Sequence, residues 1–545
     1  MSPTGIESVR FGVFVQGRAL HDWERETIEL LRTTGAHGLF ILSTAPLRRT
    51  KHALGAVACR IAGLPTPKPL EEANLQLDQP SIHCLVHATD THVPGIQSEH
   101  QERIADSRLK FILFMGDGDV PNGLAACAEL GVWQYARSSN AAGVYPFVDG
   151  LCCKADVVSF GLEQIAPDGG GRRLLAEGHF RARGERNRRV SAIVLAEARR
   201  WPLRVLRHYL LNGELPKLSL GVAATPIRKN EFALIFTLVC RDLLVNLKEK
   251  LNSYLVLETW NVGFARMNFP AVLAGGFPPA VTMLPRLEFG RYIADPFILS
   301  TAPVLRLLVE DFNYFECGRI SEVTVHDPLG VPEANIEARL VSIHHLSYPF
   351  LFQEGGSTYC LPECYQSNAS LLYRYESGAL VPVAELLSNA RATDGTIVFH
   401  DGLYWLFCGL EDDIDQVNLY LFFSDALTGD WSPHPLNPVK TDVRSSRSAG
   451  PIVKLNGELF RPAQDCSQSY GYGLAINRIT KLSTTAFEES VVITLKPESI
   501  SESCRGLHTV SFSDDMMVVD AKFYLVGFAP ILLRILRRAR RLFRK

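Results

Sequence analysis

The spacing of apolar positions divides the chain into two regimes. As far as about residue 180, short apolar runs alternate with longer mixed ones. Val9 to Val15 (VRFGVFV), His37 to Ser43 (HGLFILS), Ser81 to Val86 and Phe111 to Met115 (FILFM) are apolar and rich in β-branched or aromatic residues, which predicts buried strands. Ala19 to Thr33 and Pro121 to Leu130 mix apolar with charged or small residues and are predicted to be helices. Strands alternating with helices imply an α/β layer with a largely parallel sheet. FILFM runs straight into Gly116-Asp117-Gly118-Asp119, at the carboxyl end of a strand, where such sheets place their ligands. Gly116, Asp117 and Gly118 are therefore candidate cofactor-binding residues, although a lone G-x-G is more often a tight turn.

From Tyr292 to Tyr524 the pattern changes to a repeat: a β-rich apolar run, a polar turn, then a second run rich in aromatics. It occurs as YIADPFILSTAPVLRLLVEDF, SYPFLFQEGGSTYCLPE, DGTIVFHDGLYWLFCG, AGPIVKLNGELFRPAQD and LHTVSFSDDMMVVDAKFYL. With Asp295, Tyr348, Thr396, Gly450 and Thr509 as equivalent points, the steps are 53, 48, 54 and 59 residues. A period of roughly 50 residues with several short strands per unit is the signature of propeller blades. About five such sheets around an axis would bury one another's faces and leave a polar funnel where the blade-initial residues converge. A long β-sandwich with accidental internal similarity is the alternative. Between the two regimes, Glu185 to Gly213 is Arg-rich and helical, with Val190, Ile193, Val194, Ala198 and Trp201 on one face. Glu214 to Pro226 reads as a linker, and Glu231 to Tyr254 as a further helix or strand–helix unit joining the domains. The expected organisation is an α/β domain over 1–183, a helical connector over 184–254, a five-bladed propeller over 255–528 and a C-terminal helix over 529–545.

Composition excludes more than it selects. A net charge of −2 provides no field to recruit nucleic acid. The twelve cysteines include no pair of C-x-x-C motifs, so no zinc site is expected. The N-terminus lacks a charged segment followed by a long apolar core, and no uncharged apolar run reaches about 18–20 residues. Reduced cysteines in a cytoplasmic protein follow as the simplest expectation.

The order of elements over Val9 to Phe180, with GVWQYARSSNAAGVYPFVDG and then DVVSFGLEQIAPDGGGRRLLAEGHF, resembles the formyltransferase family. The resemblance implies a Rossmann-like fold and a folate or nucleotide-sugar cofactor. It places Asp168 as a catalytic candidate, beside the plainer reading of a turn residue among glycines. Where the family would carry its Asn and His, this chain has Trp133 and Tyr135. Neither replaces an oxyanion donor together with an imidazole base. The expectation is a formyltransferase-like scaffold without folate-dependent formyl transfer.

The motifs LETWNVGFARMNFP, RYIADPF, SYPFLFQE, HDGLYWLF, GDWSPHPLNPV, RSSRSAGPIVKLNGELFRPAQDCSQSYGYGL and GLHTV, over Leu257 to Phe528, resemble the N-terminal domain of glucosamine inositolphosphorylceramide transferases. More distantly they are similar to five-bladed arabinanase-type (family 43-like) glycoside hydrolases. The hydrolase resemblance implies Asp295 as general base and Asp394 as modulator, but Ala449-Gly450-Pro451 has alanine where the acid glutamate is required. Glu363, Glu354 or Asp442 are the remaining candidates for that acid. His345, Arg444, Arg447, Arg461, Gln464, Asp465 and His508 are candidate substrate-binding residues. Arg447 and Arg461 suit a phosphate or uronate, Gln464 and Asp465 suit sugar hydroxyls, and Trp405 and Tyr470 could stack on a sugar ring. His400 lies in an HDG turn and reads as structural. The implied ligand is a sugar or glycolipid headgroup.

The chain closes on PILLRILRRARRLFRK, in which Ile531, Leu532, Ile535, Leu536, Ala539, Leu542 and Phe543 share one helical face and seven cations fill the rest. This composition fits the surface of an anionic membrane, which would hold the protein peripherally at the inner face of a plasma membrane, or else a protein partner. Two functions remain open: group transfer to a sugar substrate in glycoconjugate or glycolipid biosynthesis, or non-catalytic glycan binding with both ancestral sites degenerate.

Overall fold

The computed structural model describes residues 6–15, 19–43, 62, 64, 68–69, 82–84, 86–87, 95–115, 119–136, 146–218, 231–275, 280–411, 417–513 and 515–543. The chain forms two compact units, Met1–Val245 and Asn246–Lys545.

The first unit holds a seven-stranded mixed sheet. Strands β1 (Arg10–Val15), β2 (His37–Ser43), β3 (Ile82–Cys84), β4 (Phe111–Met115), β5 (Val132–Tyr135), β6 (Val157–Ile165) and β7 (Arg172–Arg181) lie in the order β7-β6-β5-β4-β1-β2-β3. The first five run parallel. β6 and β7 form an antiparallel hairpin on one side, so the sheet is less parallel than the pattern predicts. The buried β1 and β4 at its centre stack Phe11 on Phe111 and Phe14 on Phe114, which is why both read as unbroken apolar runs. Helix α1 (Asp22–Thr33) lies within the predicted span. The predicted helix over 121–130 is instead a set of turns with one short 3-10 segment at Ala125–Cys127, because Gly123 takes a left-handed φ of 86° that an α-helix does not continue through. The Arg-rich stretch forms α2 (Asn187–Ala198) and α3 (Trp201–Asn212), separated where Pro202 opens the second helix. Its predicted apolar face is buried, and the stretch belongs to this unit. Helix α4 (Glu231–Leu255) follows; within this unit its Arg241 donates to Asn187 Oδ1 at 2.6 Å.

The second unit is a five-bladed propeller. Blade 1 is β8 (Arg291–Ser300), β9 (Leu305–Asn313), β10 (Arg319–His326) and β11 (Glu333–Leu340). Blade 2 is β12 (Ser347–Glu354), β13 (Ser357–Glu363), β14 (Ala369–Glu376) and β15 (Ala379–Ser388). Blade 3 is β16 (Ala392–His400), β17 (Leu403–Leu410), β18 (Asn418–Ser424) and β19 (Ser432–Pro433). Blade 4 is β20 (Val453–Leu455), β21 (Glu458–Asp465), β22 (Gly473–Ser483) and β23 (Ala486–Leu495). Blade 5 joins both ends of the unit: β24 (Val510–Phe512) and β25 (Met516–Val526) pair with β26 (Val256–Arg266) and β27 (Thr282–Met283). β25 and β26 are paired over their whole length, from Val256 opposite Val526 to Arg266 opposite Met516, which closes the ring.

The first strand of blades 1, 2 and 3 carries the same bulge. Pairing skips between Ala294 and Phe297, between Ser347 and Phe350, and between Thr393 and Thr396. The bulged residues Asp295, Tyr348 and Asp394 have φ of 50°, 42° and 49°. Proline or glycine follows each one (Pro296, Pro349, Gly395), and proline has no N–H to give the ladder. The bulge turns one side chain per blade toward the axis. Asp394, two residues before the predicted Thr396, is therefore the blade-3 equivalent. In blade 4 Gly450 takes the left-handed position with φ of 137°.

Candidate functional site: an acidic pocket on the propeller axis

All five blades contribute to a pocket of about 280 Å³. Blade 5 supplies Glu258, Trp260 and His508; blade 1 supplies Tyr292, Asp295, Glu310 and Phe312; the later blades supply Glu363, Asp394, Glu411, Arg447 and Tyr470.

Asp295 and Asp394 are the bulged residues of their strands. Asp295 Oδ1 accepts from Thr509 Oγ1 at 2.6 Å, and Oδ2 accepts from the Tyr348 N–H at 3.1 Å. A carboxylate has about four acceptor sites, so Asp295 keeps capacity for a ligand hydroxyl. Its own N–H donates to Asp520 Oδ2 at 3.0 Å. His508 lies between these acids: its Nδ1 ion-pairs with Asp520 and is 3.7 Å from Asp295 Oδ1. Burial works against its charge, but the carboxylates of Asp520 and Asp295 outweigh burial and hold its pKa above the ordinary value. Trp260 stacks on the ring at 3.9 Å. The donor atoms of Asp295, His508 and Asp520 lie within 4.8 Å of one another, close enough to surround a cation. A protonated imidazole there offsets one of the two acids and has no lone pair to ligate with.

Across the pocket, Asp394 Oδ2 pairs with Arg447 Nε and accepts from Gln464 Nε2 at 3.2 Å. The Asp394 N–H donates to Glu363 Oε2 at 3.0 Å, and Arg447 reaches the same oxygen at 3.9 Å. Tyr470 lies under the Arg447 guanidinium at 5.1 Å, and the residue as a whole is 41% exposed. The acids here outnumber the cations. Burial, then the charge of Asp394, pushes Glu363 well above the usual carboxylate range, although Arg447 opposes the shift. Burial raises Asp295 too, against the pull of His508.

Glu310 is the site residue that the sequence reading missed. Burial, then the charges of Asp295, Glu363, Asp520 and Asp394, raises it well above the ordinary range. His345 Nδ1 accepts from the Gly318 N–H at 3.1 Å, which leaves Nε2–H to donate to Glu310 at 3.3 Å. The available signal was the Glu310-Asp311 pair inside the otherwise apolar LRLLVEDF strand. Asp311 points the other way, to Arg291 at 2.7 Å and Arg319 at 2.9 Å.

Several predicted ligand residues have other work. Arg461 is fully buried, donates twice to Glu489 at 2.9 and 2.6 Å, and bonds the Ser445 and Ser446 carbonyls. Its fork is used up in fastening blade 4, so it is no phosphate clamp. Arg444 is bidentate with Asp442, 2.8 Å in each bond, which also occupies that candidate acid. Asp465 accepts from the Ser467 N–H at 2.9 Å and does not line the pocket, and Gln464 is shared between Asp394 and the Ser448 carbonyl. Trp405 is buried in the blade 3–4 core and offers no stacking face. Glu354 ends β12, paired with Ser357 at the hairpin, and His400 lies beside Asp401 in its turn. Ala449 is fully buried, with its N–H on the Pro462 carbonyl. In the first unit, Asp168 caps the exposed Gly170 N–H at 2.9 Å in the β6–β7 turn. Trp133 stacks on Phe111 at 3.9 Å, and the Tyr135 hydroxyl donates to the Ala198 carbonyl at 3.2 Å, so both belong to the core. Gly116, Asp117 and Gly118 lie outside the described residues.

A five-bladed propeller with an acid-rich axial pocket is the class of architecture present. Residues 286–509 match the family described as glucosamine inositolphosphorylceramide transferase 1, N-terminal. Curated proteins named glucosamine inositolphosphorylceramide transferase 1 are similar to part of this chain. The one from Oryza sativa subsp. japonica is 29% identical over 249 residues, covering 43% of this chain and 30% of the relative. The one from Arabidopsis thaliana is 28% identical over 228 residues, covering 39% and 28%. The chain thus spans under a third of the length of these relatives. Among solved structures, a family 43 β-1,3-galactosidase bound to galactodeoxynojirimycin has 13% identity and a TM-score of 0.30, covering 37% of this chain and 75% of the other. A family 117 glycoside hydrolase from Zobellia galactanivorans has 9% identity and a TM-score of 0.31, covering 50% and 92%.

Proposed function

We propose that this protein acts in sugar transfer during glycolipid biosynthesis, with the propeller pocket holding a sugar of the lipid headgroup or its donor. The observation that carries the reading is the excess of buried carboxylates over cations around the axial pocket. Carboxylates accept from sugar hydroxyls, and a set this acidic also favours the ammonium of an amino sugar. The relatives named for glucosamine transfer to inositolphosphorylceramide support the same substrate class.

Within that reading Asp295 is the acceptor-side base. It has free acceptor capacity and a raised pKa, which improves its match to a neutral operating pH. It would take the proton of an acceptor hydroxyl as that oxygen bonds to the anomeric carbon of an activated glycosyl donor. The donor's leaving group would depart with the electron pair of the old C–O bond. Hydrolysis by the arabinanase route is disfavoured by the buried Ala449. The first unit we read as a formyltransferase-type scaffold without its chemistry. Its order of strands supports the scaffold, and the core positions of Trp133 and Tyr135 support the loss.

The test is turnover of inositolphosphorylceramide and an activated glucosamine donor by the full chain, native and Asp295→Asn, with sugar binding measured alongside. Binding that persists in the variant while turnover falls by about 10²–10⁴ supports a base role. Turnover unchanged in the variant removes Asp295 from the chemistry. Binding in the native chain with no turnover leaves the glycan-binding alternative.

A further inference from the structure

The rim of the pocket is apolar and basic where a soluble sugar-binding surface has no need to be. After β25 the chain enters helix α5 (Ala529–Phe543), which has no acidic residue. The helix is held to its own unit by a few contacts. Leu533 is buried, Arg534 bonds the Ser253 carbonyl, and its guanidinium lies 4.8 Å over Tyr254. The stripe Leu532, Ile535 and Leu536 is 49%, 57% and 41% exposed. An amphipathic helix docked only on protein would hide that stripe.

The helix lies on the side where the pocket opens. It leaves blade 5 at Val526, opposite Val256, the end of the β25–β26 ladder nearest Glu258 and Trp260 of the pocket wall. Arg537 lines a groove of about 440 Å³ with Tyr314, Cys317, Arg319, Val341 and Ile343. Phe312, at the end of β9, and His345, in the loop that follows β11, line the pocket. Val341 and Ile343, in the same loop as His345, are 68% and 86% exposed. Exposed apolar side chains therefore flank the mouth, with Arg537 of α5 beside them. No helix among the described residues is long and apolar enough to cross a membrane.

We infer that the pocket face of the propeller docks on an anionic lipid bilayer, with α5 lying in the interface and Val341 and Ile343 inserting beside it, so that the pocket opens toward headgroups in the membrane. Charge complementarity selects the occupant. A helix with five arginines and no acid, followed in the sequence by Arg544 and Lys545, is attracted to anionic headgroups, and its apolar stripe gains by entering the acyl boundary. The inference does not depend on the sugar chemistry above, because lipid binding is read without any sugar present.

The experiment is co-sedimentation of the full chain with vesicles of phosphatidylcholine alone and of phosphatidylcholine mixed with phosphatidylserine, at low and high salt. Expected is binding to the mixed vesicles, weaker by roughly tenfold or more on the neutral ones and weakened by salt. Ile535→Glu/Leu536→Glu should abolish it. Val341→Asp/Ile343→Asp should weaken it several-fold. All four positions are exposed, so unchanged thermal melting verifies folding of the variants. Equal binding to both vesicle types, or none, overturns the membrane surface. Loss with the helix variant but native binding by the Val341/Ile343 variant overturns the orientation. Pelleting of the chain without vesicles, abolished by the helix variant, would indicate self-association and overturn the lipid reading.

Discussion

Glu310 is a carboxylate that the fold surrounds with other carboxylates. Its raised pKa means that the folded chain keeps a proton there which the unfolded chain releases. The stability tied to that proton is complete below the ordinary glutamate range and is lost as pH rises through the folded value. Glu310→Gln keeps the shape and removes the titration. Its denaturation midpoint, relative to native, is therefore expected to rise as pH increases from about 4 toward neutrality. Urea melts of the two proteins across that range would check it; a relative midpoint that falls with pH would mean an ionised, well-paired glutamate. The same residue shows where reading a sequence stops. Charged groups in a strand are visible, but their direction is not. Arg461 looked like a ligand because its partner Glu489 lies 28 residues away, two strands across the same sheet. Trp405 looked like a stacking platform because an aromatic in a period-two strand has equal chances of facing the core. Asp295, Asp394, Glu363, Arg447, His345 and His508 were legible because each sits at a blade start or on the strand or loop that frames the axis.

At the scale of the element, the bulge at the head of each inner strand builds the site. It was visible as Asp-Pro, Tyr-Pro, Asp-Gly and Gly-Pro recurring at blade length, although equating Thr396 with Asp295 placed blade 3 two residues late. Gly450 is the blade-4 form: its N–H donates to the Tyr348 hydroxyl at 2.8 Å, and a Cβ there would meet the Val510 carbonyl oxygen at 2.0 Å. Gly450→Ala must move the blade 4–blade 5 seam or strain its own backbone. A loss of about 1–3 kcal/mol in unfolding free energy is expected, measurable by denaturant titration. A variant as stable as native would show that the seam gives way freely. The α/β elements were legible wherever a central strand was apolar throughout. The 121–130 segment was not, since its apolar content resembles a helix while Gly123 enforces a turn.

For the whole molecule, the propeller and its closing blade followed from the repeat, but the acidity of the axis did not. Four of its acids come from different blades and meet only when the ring closes. On the function proposed above, that convergence would hold a sugar, and an amino sugar above a neutral one. The direct measurement is calorimetric titration of the full chain with methyl glucosaminide and with methyl glucoside, at mildly acidic and at neutral pH, in native protein and in Glu363→Gln. The raised carboxylates should ionise more readily beside an ammonium, so binding should release protons and strengthen as pH rises. Glucosaminide is expected to bind about tenfold or more tightly than glucoside at neutral pH, with the preference shrinking in acid and in the variant. Equal affinity for the two sugars at both pH values, or no binding of either, would contradict it.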